Sequence, residues 1–193
     1  MSTCLIELVK PYIREINLDE VAAHLKIDIA DILELEFWQF TFWLRVGRRG
    51  AVFVSPRKLS SWLPAIKEAI AHCRDYESLK EFKKALEVDF KTKFDRKTQE
   101  KIYSDALETE LRQLVEQRWK QIQVETAARR QAETLTRSYE PIIKQCLDRE
   151  SLDAVAQLIR KNYPIFELFQ DLLQHLRLLW ANRRAEILSF DRA

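Results

Sequence analysis

The chain has 193 residues, 47% of them hydrophobic and 32% charged, enough to bury a core in one or two domains. Its 32 Lys plus Arg against 30 Asp plus Glu leave a net charge of +2, which excludes a strong overall attraction to polyanions or acidic membranes and makes any such attraction local. Gly occurs only at Gly47 and Gly50, where average usage would give about 14, so neither a phosphate-cradling P-loop nor a dinucleotide-binding turn can be written from this chain.

Leu5, Leu8, Val9, Tyr12, Ile13 and Ile16 recur every three or four residues and predict a helix over 4–16. Asn17 interrupts it as the N-cap of a second, short helix, with Asp19 and Glu20 in its first turn and Val21, Ala22 and Leu25 on its apolar face. After a turn at Ile27-Asp28, the spacing of Ile29, Ile32, Leu33 and Phe37 predicts a third helix over 29–37. The period then changes to two. Trp38, Phe40, Phe42, Leu44 and Val46 alternate with Gln39, Thr41, Trp43 and Arg45, and Gly47-Arg48-Arg49-Gly50 separates them from Ala51–Ser55. This is a β-hairpin with both glycines at its tip, where tight turning needs them.

Pro56 stops the second strand. A helix opened by Ser60 or Ser61, with Pro64 in its first turn, runs through Ile66, Ile70 and Cys73, and another runs through Leu79, Phe82, Leu86 and Phe90. New capping residues at Asp95 or Thr98 place a domain boundary there, dividing the chain into 1–95 and 96–193. From Thr98 to about Tyr139 the apolar positions keep helical spacing without Gly or Pro, a rod of about 60 Å that Pro141 ends or kinks. A helix that long bridges subdomains or packs on a partner chain. Helices over Ser151–Asn162 and from Pro164 to about Leu188 complete a mainly α chain with one β-hairpin and a long-helix carboxy-terminal domain.

Charge is unevenly placed in the first third. Acids dominate residues 7–36, whereas Arg45, Arg48, Arg49, Arg57 and Lys58 form a run without an acid. A hairpin tip with two adjacent arginines can straddle a phosphate backbone; the plainer reading is a solvated turn that keeps sheet edges soluble. The order Leu18-Asp-Glu-Val-Ala-Ala-His-Leu, then Ile29-Ala-Asp-Ile-Leu, then Arg45-Val-Gly-Arg-Arg-Gly-Ala-Val-Phe-Val-Ser-Pro-Arg-Lys-Leu and Trp62-Leu63 resembles a winged helix-turn-helix of the excisionase or MerR type, over residues 17–63. The resemblance implies a winged helix-turn-helix-like amino-terminal domain, a recognition helix at 29–37, and wing contacts to double-stranded DNA from Arg45, Arg48, Arg49, Arg57 and Lys58. It departs from the pattern in that helix: Asp28, Asp31, Glu34 and Glu36 would repel phosphate, and no Arg, Lys, Asn or Gln stands on it before Gln39.

The aromatic run 37–43 reads as core or dimer interface with Phe40, Phe42 and Leu44 facing in, or else as a stacking platform for single-stranded nucleic acid. Trp43, Trp119 and Trp180 are the candidate partner-interface anchors, and the apolar stripes of the carboxy-terminal helices suit a homodimer seam or a protein partner. His24, His72 and His175 stand apart from one another, and His72 and Cys73 point to different sides of a helix, so neither a metal site nor a nucleophile with its base can be assembled locally. No cofactor motif is present, no run of apolar residues reaches membrane-spanning length, and the separated Cys4, Cys73 and Cys146 fit a reducing cytoplasm. Two functions follow as expectations: a non-catalytic DNA-binding transcription regulator acting through the basic hairpin, or a helical adaptor or assembly factor that binds protein alone.

Overall fold

The computed structural model describes residues 4–92 and 101–190. The fold is mainly helical, with one small antiparallel sheet and one very long helix. It divides into two compact units, 1–122 and 123–193. The boundary expected near residue 95 and its caps at Asp95 or Thr98 lie outside the described residues.

The first unit opens with α1 (Leu5–Val9), followed by a 3₁₀ turn over Lys10–Tyr12. The single helix expected over 4–16 stops early because Pro11 has no N–H to donate and its ring restricts the residue before it. Helix α2 (Leu18–Leu25) starts as expected: the Asn17 Oδ1 accepts from the backbone N–H of Asp19 at 2.9 Å and of Glu20 at 3.3 Å. It ends in a left-handed Lys26, φ 55°.

The third helix expected over 29–37 is absent; Ile29–Asp31 is a 3₁₀ turn and Ile32–Phe37 is strand β1. Ile29, Ile32, Leu33 and Phe37 keep a helical spacing whereas Leu35 and Phe37 alternate as a strand, and pairing with β2, irregular between Ile32 and Glu34, decides between them. Strands β2 (Phe42–Val46) and β3 (Gly50–Val54) complete a sheet of order β1-β2-β3. The alternation read from Trp38 onward begins only at Phe42, because residues 38–41 form the β1-β2 turn, closed by the Trp38 N–H on the Thr41 carbonyl at 2.9 Å. Phe40 stands at that turn and is exposed, not inward as expected, whereas Phe42 and Leu44 do face in.

The inner sheet face, Phe42, Leu44, Val46 and Val54, packs with Val21 and Leu59. A larger core joins α1 to helices α3 (Trp62–His72), α4 (Tyr76–Thr92) and the first part of α5 (Asp105–Gln145), through Val9, Ile66, Leu86, Leu111 and others. Of the two outcomes expected at Pro141, an end or a kink, the end does not occur: α5 runs on to Gln145. The second unit packs the end of α5 with α6 (Arg149–Lys161), α7 (Tyr163–Phe166) and α8 (Gln170–Phe190) around Ile143, Leu152, Phe166 and Leu176. The last helix expected, from Pro164 to Leu188, is broken into α7 and α8 at residues 167–169.

Candidate functional site

Pairing in a sheet decides which side chains share a face, and here it builds an exposed aromatic surface. Glu36 pairs with Trp43 and Trp43 with Phe53; beside them Glu34 pairs with Arg45 and Arg45 with Ala51. These residues alternate with the inward Leu35, Leu44 and Val52, so they form the outer face. Trp38, at the β1-β2 turn, folds over it. Its ring stacks on Trp43 with centroids 5.7 Å apart and planes 6° from parallel, and meets Phe53 edge-on at 5.6 Å. The Trp38 indole N–H donates to the Glu36 carboxylate at 3.0 Å, which fixes the ring. Trp38 remains 47% exposed and Phe53 56%. Three preorganised rings with one carboxylate engaged and a mixed Glu34/Arg45 border have the composition of an interface centre.

The hairpin tip lies at the other end of this sheet. Its turn is closed by the Arg49 N–H on the Val46 carbonyl, and Gly50 sits at φ +72°, a conformation an L side chain resists. Arg45 and Arg48 are exposed, as is Lys58 on the 3₁₀ turn that follows β3. Arg49 is exposed too, but its guanidinium donates to the Leu25 carbonyl at 3.0 Å, capping the negative end of α2. The Gly47 N–H binds the Asp31 carbonyl, which brings an acidic residue beside the tip.

Arg57 is a correction to the candidate set. Its side chain is 7% exposed and forks onto Asp89, 4% exposed, with Nε to Oδ2 at 2.7 Å and Nη2 to Oδ1 at 2.5 Å. The Tyr103 hydroxyl donates to Asp89 at 2.7 Å and accepts from the Trp62 indole N–H at 2.9 Å. Burial pulls the Arg57 pKa down, but the hydrogen bonds and charge of Asp89 outweigh it and the net direction is up. Burial, with Asp89 beside it, raises the Tyr103 pKa. Buried and paired this way, Arg57 is a structural cation and reaches no phosphate.

The other two tryptophans of the expected interface serve their own units. Trp119 packs on Tyr76, ring centroids 4.1 Å apart, and against the first core. Trp180 packs against the core of the second unit, and its N–H binds the Leu152 carbonyl at 3.2 Å. Among the described residues no group of His, Cys, Asp and Glu is arranged to hold a metal, and no helix is long and apolar enough to cross a membrane.

Sequence reading missed Trp38 and Phe53 as surface residues. The signal was available for Phe53, since residue 53 takes the face of Trp43 once the Gly47–Gly50 turn sets the register. For Trp38 no such signal exists, because its position follows from the β1-β2 turn. No family model, curated protein or solved structure matches this chain.

Proposed function

We propose that this chain is a non-catalytic adaptor that docks another protein on the outer face of its amino-terminal sheet. The cluster of exposed Trp38 and Phe53 around half-buried Trp43 carries this reading. A contiguous aromatic face left in water marks an interaction surface, and Trp is the residue type most enriched at binding hot spots. Glu34 and Glu36 beside the rings disfavour phosphate and favour cations, so the partner of best fit offers Arg or Lys next to aliphatic side chains, the guanidinium or ammonium lying over a ring face.

Site-specific photo-crosslinking in cells tests it. With p-benzoylphenylalanine in place of Phe53, the expected result is a protein adduct of discrete mass, missing when the probe stands at Glu110 on α5. No adduct at position 53, or an adduct to nucleic acid, would overturn the reading.

One observation favours a second reading as a DNA-binding regulator: Arg45, Arg48 and Arg49 are exposed at one end of a two-stranded ribbon, as a wing requires. Against it stand strand β1 where a recognition helix was expected and the burial of Arg57. The same probe at Arg48 decides, since a wing would crosslink there to DNA.

A further inference from the structure

Helix α4 carries a surface that sheet-face docking leaves unused. Tyr76, 44% exposed, and Trp119 pack edge to face along one side of a cleft floored by Leu79 and Val115 and rimmed by Lys80, Lys83 and Glu116, with a volume of about 250 Å³. The Lys80 ammonium lies 5.4 Å from the centre of the Tyr76 ring. The same two lysines begin a shallow trough that continues along α4 past Lys84 and Val88 to Lys91. At ~100° per residue, Lys80, Lys84 and Lys91 fall within about 40° of one another around the helix. At ~1.5 Å rise per residue the row spans about 16 Å.

The acid within this row is already engaged. Arg112 forks onto Glu87, Nε to Oε1 at 2.7 Å and Nη2 to Oε2 at 3.0 Å, and holds its carboxyl below the usual range. Glu77 stands 3.7 Å from Lys80, an exposed pair of the kind that salt and competing anions displace. What remains along three turns is a row of ammonium groups ending in an aromatic cleft, with the Glu116 carboxylate on its α5 rim.

We propose that α4 binds single-stranded nucleic acid, its phosphates following Lys80, Lys83, Lys84 and Lys91 and one base lying in the cleft against the Tyr76–Trp119 pair. The cleft is smaller than the ~300–1,000 Å³ typical of drug-sized ligands and suits one planar ring. A base in a duplex is stacked and paired and cannot enter it, whereas an unpaired base stacks on aromatic side chains whatever its sequence. A membrane surface fits less well, because Val88 is the one apolar side chain in the trough and a bilayer gains little from it.

Fluorescence anisotropy of the full chain with fluorescein-labelled oligo-dT of about 12 nucleotides tests the proposal. A duplex of equal length and phosphatidylcholine vesicles containing phosphatidylserine serve as competitors. The expected result is binding to the single strand with a log–log salt slope of about −3, the value for roughly four phosphate contacts. Lys83→Gln with Lys84→Gln is expected to weaken it at least tenfold and to halve the slope approximately. Tyr76→Ala is expected to weaken it about tenfold with the slope unchanged. Circular dichroism of each variant establishes that it is folded. Phe53→Glu and Arg48→Ala are expected to bind oligo-dT as the wild type does, which separates this surface from the sheet face and the hairpin. The proposal is overturned by absence of binding at low salt, by lysine or Tyr76 variants that bind unchanged, by a preference for the duplex or the vesicles, or by loss of binding in Arg48→Ala.

Discussion

Arg57 shows how one residue can carry the same charge and the opposite meaning from its neighbours. Arg48, nine positions earlier, is in water, while Arg57 ties the turn after β3 to α4 through Asp89 and, by way of Tyr103, to the segment leading into α5. Removing one partner of such a pair leaves a buried charge uncompensated. Arg57→Ala is therefore expected to cost about 3–5 kcal/mol in chemical denaturation, and Arg57→Met with Asp89→Leu to recover most of that loss. A loss below about 1 kcal/mol for Arg57→Ala would mean that the pair is solvated, as surface ion pairs are. Gly50 makes a smaller but sharper case: at φ +72° with open space around it, Gly50→Ala is expected to cost about 1 kcal/mol through backbone strain alone.

At the level of elements, carboxylates define several starts. Asp75 accepts the Ser78 N–H at 2.8 Å before α4, and Asp148 accepts the Ser151 N–H at 2.8 Å before α6; these bonds hold both carboxyls below their usual value near 3.8. A pKa lowered in the folded state stabilises the protein at pH above the unfolded value, and that contribution disappears as pH falls through the folded value. Thermal stability is thus expected to drop below about pH 4, and less steeply in Asp75→Asn with Asp148→Asn, because the amide still accepts the bond without titrating. Parallel wild-type and variant curves would contradict this.

Elements with one dominant local signal were legible in the sequence: Asn17 capping α2, the two-glycine turn between β2 and β3, the uninterrupted stripe of α5. Segment 29–37 was not, because its apolar spacing mixes the two periods and only the partner strand resolves it. The same limit applied to the site. The basic composition of the tip was readable, but which arginine is buried and which rings stack depend on contacts between residues as distant as Arg57 and Asp89 or Trp38 and Phe53. The lysine row of α4 was written at readable helical spacing, yet its meaning depends on Trp119, which the fold brings from α5.

For the whole molecule, a net charge of +2 means that recognition rests on local chemistry and not on a long-range field. Two such local surfaces lie in the first unit, an aromatic sheet face with a mixed Glu34/Arg45 border and a basic helix row with an aromatic cleft; the second unit has a core of its own. The central claim is that the sheet face binds protein. It is tested most directly by immobilising wild type, Phe53→Glu and Arg48→Ala in parallel and quantifying by mass spectrometry what each captures from one nuclease-treated lysate. The account predicts proteins enriched on wild type and Arg48→Ala and lost on Phe53→Glu, with unchanged circular dichroism in all three. Equal capture by Phe53→Glu, or loss confined to Arg48→Ala, would contradict it.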